Sequence, residues 1–232
     1  MRNKAVQLID TAETVILRII FILVLLLGIY ALYDSWYVYR HASDRNLLNF
    51  KPVIENGQVA GERRISEDMV AWLTIEDTDI DYPVMQGMDN FIYVNTDPYG
   101  EYSLTGSIFL DYRNSADFTD AYSLIYGHHM EQGAMFGALD RFRDEAYFDS
   151  HREGELIVGK KILHIELFAY MEPKASDAEV FEPTEDYDVR SFVRDNALIY
   201  KEPGKGRLIA LSTCSDAATT ARVAVFGTLS EE

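Results

Sequence analysis

The 232-residue chain has a single cysteine, Cys214, and that scarcity excludes two things. With no second thiol there is no intramolecular disulfide to staple a small secreted fold, and no thiolate cluster to hold a structural metal. Basic charge is short as well: 21 Lys and Arg stand against 38 Asp and Glu, a formal net charge of −17. Such a surface repels a phosphate backbone, which argues against nucleic acid as a partner. No pair among His41, His128, His129, His151 and His164 has the i, i+4 helical spacing of a zinc site. Asp77, Asp79 and Asp81 alternate as in a calcium loop, but Tyr82 stands where the sharp turn needs glycine and Met88 where the bidentate glutamate belongs, so the segment reads as a polar turn. No metal and no cofactor is expected. Internal repeats and low-complexity segments are missing too, which leaves one ordinary domain plus an appendage, at ~100–200 residues per domain.

One long apolar run is present. From Val15 to Tyr33 the only charge is Arg18, close enough to one end to snorkel, and at ~1.5 Å per residue the run covers most of a ~30 Å hydrocarbon layer. It reads as a membrane span; the competing signal-peptide reading needs a shorter apolar core and a small-x-small cleavage site. Tyr30, Tyr33, Trp36, Tyr37 and Tyr39 form an interfacial aromatic belt beside it. Arg2, Lys4 and Arg18 on one side nearly balance Arg40, Arg45 and Lys51 on the other, so flanking charge alone leaves the orientation open. The chain divides into a short segment 1–14, an anchor 15–33, a linker with helical character 34–65, and a domain 66–232. Ser66, with Glu67 and Asp68 after it, is a helix-start signature, and one or two helices are expected across 40–70.

Beyond Trp72 the period changes. Eight short β-rich runs, 72–75, 80–85, 106–110, 123–126, 155–158, 162–170, 207–213 and 221–228, are separated by Gly, Pro, Asn and Asp clusters. That pattern predicts a mainly β protein, a closed or nearly closed antiparallel barrel. Two interruptions carry helical spacing: Met135, Phe136, Leu139 and Phe142 in one, and Val189, Phe192 and Val193 in the long connection 172–205. A connection of that length over a barrel rim is a candidate wall for a binding groove.

Chemistry concentrates where two of these runs end. Leu208 to Thr213 leads into Cys214 and a polar loop, and Tyr126-Gly127 leads into His128-His129. A lone cysteine is either a small buried hydrophobe or a nucleophile. A histidine presented at a strand end favours the second, because an imidazole can stabilise the thiolate as an ion pair and protonate a departing amine. Either His128 or His129 fits that role, whereas His41, His151 and His164 sit in charged or edge-strand surroundings. Arg222 lies in the next β run; it is either a surface arginine or a fixed donor to the oxyanion of an acyl-transfer intermediate. Strand alternation puts Leu208, Ala210, Ser212 and Cys214 on one face, but it does not carry across the loop to Arg222.

These residues resemble a known family. Leu211-Ser212-Thr213-Cys214 with Arg222 is similar to the Leu-x-Thr-Cys signature and following arginine of sortases, the membrane-anchored cysteine transpeptidases of Gram-positive bacteria. Tyr126-Gly127-His128 is similar to the histidine segment. Ala71-Trp72-Leu73, Tyr82-Pro83-Val84, the stretch Gly106 to Asp111 with Arg113-Asn114, and Met135 to Leu139 extend the likeness over residues 66–228. The serine before Thr-Cys and the helix-bearing connection look most like class B. The resemblance implies an eight-stranded sortase barrel with N-terminal helices, on an uncleaved single-pass anchor with the catalytic domain outside the cell. It implies catalysis by Cys214, His128 (rather than His129) and Arg222, with Ser212 and Thr213 as substrate-groove candidates. By the same likeness the substrates are surface proteins bearing a C-terminal sorting motif, cut after Thr through a thioacyl enzyme and passed to a peptidoglycan amine, on lipid II or the cell wall, or to a pilin lysine. A cysteine protease that only hydrolyses, and a membrane-tethered binding domain, are the remaining alternatives.

Overall fold

The computed structural model describes residues 4–42, 45–61, 63–130, 133–184, 186–213 and 222–231. Residues 1–41 and 42–232 form separate units. In the first, helix α1 (Lys4–Ala42) contains Ala12–Tyr37, a stretch long and apolar enough to cross a membrane. Its large apolar side chains from Val15 to Tyr33 are exposed, as suits a lipid-facing helix and not a core one.

The second unit begins with a 3₁₀ segment, Arg45–Phe50, and a hairpin of β1 (Val53–Glu55) and β2 (Gln58–Gly61) turning through Asn56 and Gly57, both at positive φ. This replaces the helices expected across 40–70. Ser66 starts no helix either: its carbonyl accepts the amide of Met69, where β3 (Met69–Ile75) begins. Ladders on both sides of β3 override the local helix signal, and Trp72, Leu73 and Ile75 are almost fully buried there.

The other strands are β4 (Asp81–Met85), β5 (Ile108–Leu110), β6 (Tyr122–Gly127), β7 (Glu153–Val158), β8 (Lys161–Met171), β9 (Ile199–Tyr200), β10 (Arg207–Thr213) and β11 (Ala224–Glu231). Eight of them run in the order β11-β10-β6-β5-β4-β3-β7-β8, and β8 pairs back onto β11, closing the barrel; β9 adds two residues to the edge of β8. The barrel is not wholly antiparallel as the runs alone predicted. β4 pairs with β5, and β6 with β10, in parallel, because in each case the intervening chain is long enough to cross over.

Alternation sorts the strands into two apolar clusters. Inside the barrel, Leu73, Val84, Ile125, Leu167, Leu211 and Val225 meet a plug formed by a 3₁₀ segment, Phe136–Arg143, and α2 (Glu145–Ser150). Outside it, Phe109, Tyr122, Leu124, Tyr126, Ala210 and Phe226 are covered by the long connection through α3 (Ala178–Phe181) and α4 (Val189–Asn196). Burial on both faces explains why β6 shows no polar alternation: all six of its residues are buried.

Candidate active site

The site forms where β6, β10 and β11 end side by side. In the parallel ladder Ser212 pairs with Tyr126 and Thr213 with Gly127. In the antiparallel one Ser212 pairs with Ala224, and Thr213 donates its amide to Val223 O at 2.9 Å. The end of β10 therefore lies between Gly127 and Val223. The next residue outward on one side is His128, and on the other Arg222. Cys214 follows Thr213 in the chain and, with 215–221, lies outside the described residues.

Gly127 is required by its surroundings: a Cβ there would run into Ile108 Cδ1 and the Phe136 ring. His128 is partly buried, and its carbonyl accepts the amide of Phe136 at 3.0 Å, tying the histidine's backbone to the plug. His129 diverges from it. Its side chain is 40% exposed and its Nε2 sits 2.7 Å from Asp140 Oδ2. The other described histidine side chains have partners of their own: His151 stacks on Tyr147, and His164 pairs with Glu153 at 2.7 Å.

Ser212 and Thr213 are almost wholly buried, and their hydroxyls serve the β10–β11 junction. Ser212 Oγ donates to Val223 O at 3.1 Å, and Thr213 Oγ1 accepts the Val223 amide at 3.0 Å. This clamp fixes the residue that follows Arg222. Because Ser212 and Ala224 are paired, the face shared by Arg222, Ala224 and Phe226 is the face of Ser212 and Ala210, a relation that parity alone left open.

Arg222 meets the long connection there. Its guanidinium carbon stands 4.3 Å from the centroid of the Phe181 ring, at the end of α3. α3 is pinned by two hydrogen bonds to its last carbonyls: Arg113 Nη2 donates to Phe181 O at 2.6 Å, and Tyr122 Oη donates to Val180 O at 2.8 Å. Arg113 is in turn forked onto Asp111, Nε to Oδ1 and Nη2 to Oδ2, both at 2.8 Å. That carboxylate is fully buried and also accepts from Asn90 Nδ2 at 2.8 Å. The Asp111 hydrogen bonds hold the Arg113 guanidinium above its ordinary pKa, and burial pushes the Tyr122 phenol well above its own. Sequence reasoning gave Asp111 and Arg113 no role beyond the family pattern and did not single out Phe181. A cavity of about 570 Å³, lined in part by Arg113, Tyr187, Arg190 and Arg207, opens at the starts of β6 and β10, the opposite end from His128.

A closed eight-stranded barrel with a histidine and an arginine flanking the end of the strand that precedes Cys214 in the sequence has parts that suit an acyl-transfer enzyme. The comparisons name the group. A sortase domain model matches residues 73–230. Sortase B of Listeria monocytogenes is 37% identical over 170 residues, 68% of this chain and 69% of that protein. Sortase B of Staphylococcus aureus is 29% identical over 171 residues, 70% of each. Among solved structures, a class B sortase of Streptococcus pyogenes involved in pilus biogenesis superposes with a TM-score of 0.67 at 41% identity, covering 72% of this chain and 94% of that one. The S. aureus sortase B–substrate complex gives 0.66 at 28%, covering 72% and 82%. The chain belongs to the sortase family, and within it to class B; it is a cysteine transpeptidase.

Proposed function

We propose that this enzyme, anchored by α1 with its catalytic domain outside the cell, cleaves a C-terminal sorting motif of surface proteins after Thr and passes the acyl group to an amine of peptidoglycan. The observation that carries the catalytic assignment is the register at the end of β10: Thr213 is bracketed by Gly127 and Val223, so Cys214, His128 and Arg222 are the next residues of three adjacent chain segments. Likeness to a sortase B bound to its substrate supports the same reading.

In this reading the Cys214 thiolate, stabilised by the His128 imidazolium, attacks the carbonyl carbon of the motif's Thr. The C–S bond forms, and Arg222 donates to the oxyanion. His128 then protonates the leaving nitrogen as the C–N bond breaks, which leaves a thioester and a neutral imidazole. That imidazole accepts a proton from the incoming amine as the new C–N bond forms and the C–S bond breaks, restoring the thiolate–imidazolium pair. Ser212 and Thr213 shape the groove floor beside these atoms through the Val223 clamp. The likeness to a sortase of pilus biogenesis favours a second reading, in which the accepting amine is a pilin lysine.

Full-length protein in detergent, given a panel of Pro-x-Thr-containing peptides and primary amines, tests this. Wild type is expected to cleave a member of the panel and to yield more ligated product as amine is added, and Cys214→Ala to show no turnover. Turnover by the alanine variant would refute the role of Cys214. Cleavage indifferent to every amine would make the enzyme a hydrolase, and preference for a lysine-bearing pilin peptide would select the second reading.

A further inference from the structure

We infer that Phe181 is the positioning residue for Arg222, and that Arg113, held by the buried Asp111 carboxylate, sets the ring in place; the inference rests on Arg222 acting as the oxyanion donor. An arginine side chain has several rotatable bonds, and freezing them during the reaction costs free energy that a donor held in advance does not incur. A carboxylate partner would hold a guanidinium by consuming its N–H groups and spreading its charge. A ring face holds it through the carbon and the π-electrons, leaving in-plane donors to point elsewhere. The 4.3 Å separation between the Arg222 guanidinium carbon and the Phe181 centroid is well within the ~6 Å reach of that contact.

The ring is itself held. Phe181 is 9% exposed and ends a helix of only four residues, too short to fix its own position. The hydrogen bonds from Arg113 and Tyr122 to the carbonyls of Phe181 and Val180 supply what the helix lacks. Arg113 cannot swing away, because Asp111 holds it in a two-point fork and that carboxylate has no access to water. Asp111 also lies 3.4 Å from the hydroxyl of Tyr126, two residues before His128. One buried carboxylate thus joins the histidine strand, the groove wall and, through Phe181, the cation.

The test uses full-length enzyme and a peptide that the wild type turns over. Phe181→Leu is expected to lower kcat about ten-fold, between the sizes of an exposed and a desolvated cation–aromatic contact, with KM changed less than ~3-fold, since the loss falls on the transition state. Phe181→Tyr, which keeps the ring, should stay within ~3-fold of wild type. In an Arg222→Ala background, Phe181→Leu should cost nothing further, because the group it positions is gone. If leucine abolishes the thermal unfolding transition, Phe181→Met, of similar volume and without a ring, takes its place with the same expectations. An unchanged kcat in the leucine or methionine variant, or an equal loss with and without Arg222, overturns the positioning role. Wild-type kcat in Arg222→Ala alone would instead overturn the oxyanion assignment beneath it.

Discussion

The two faces of β6, β10 and β11 are built from one set of strands and do opposite work. Toward the barrel axis, Ile125, Ile209, Leu211 and Val225 pack into one apolar cluster with the plug. Toward the connection, apolar residues such as Leu124, Ala210 and Phe226 share the surface with Tyr122, Tyr126 and Asp111, and with the ring that carries Arg222. The inner face holds the strand ends at fixed spacing; the outer face carries the polar groups and the covering connection. A closed barrel can separate these tasks because successive residues of one strand point to opposite sides.

The largest expected effect lies at the outer edge. His128→Ala should lower kcat by ~10²–10⁴, the usual contribution of a general acid–base group, while the thermal midpoint stays put because the side chain belongs to neither apolar cluster. His129→Ala should keep activity within a few-fold, since it removes only a half-exposed contact to Asp140. Steady-state kinetics with circular dichroism melts on both variants decides it, and the reverse order of effects would move the catalytic role to His129. The complementary change is Leu211→Ala on the inner face of β10. Emptying that site should cost ~2–5 kcal/mol of stability, a fall of roughly 5–15 °C in Tm for a domain of this size. The folded fraction should still turn over near the wild-type rate. A loss of kcat without a loss of Tm would mean that the two faces are not separable.

Much of this division was legible in the sequence. The eight β-rich runs match the eight barrel strands to within a few residues, because short apolar, β-rich runs bounded by turn residues show in local composition even where both faces are buried. Met135, Phe136, Leu139 and Phe142 were marked by helical spacing and are the buried plug. What escaped depended on distant partners. The helix signal at Ser66 lost to the ladders on both sides of Met69–Ile75, and the parallel pairing of β6 with β10 joins residues 86 positions apart, as Leu208 with Tyr122. Arg222 could not be placed relative to Ser212 until the Ser212–Ala224 register was known. Phe181 left no local mark at all, since an aromatic at the end of a short helix has the same sequence whether it fills a core or holds a cation.

The smallest expected effect probes the joint between the faces and the wall. Tyr122 starts β6 on the outer side and donates to Val180 O, one residue from Phe181. Tyr122→Phe keeps the ring and leaves that buried carbonyl without this donor, at a cost of ~1–3 kcal/mol. The phenol also carries a pH signature. Burial raises its pKa well above 10, so in the folded chain it keeps its proton where the unfolded chain loses it. The folded state then binds more protons above pH ~10, and stability, fully present below that value, falls as pH rises. Burial raises Tyr93 and Tyr170 in the same direction, so removing one phenol should flatten the decline without abolishing it. Urea melts at pH 8, 9.5 and 10.5 are expected to show Tyr122→Phe less stable than wild type at pH 8, with the gap narrowing toward pH 10.5. A gap that stayed constant with pH would mean that the Tyr122 phenol titrates normally, and no gap at pH 8 would mean that the hydrogen bond to Val180 does not hold the connection against the barrel.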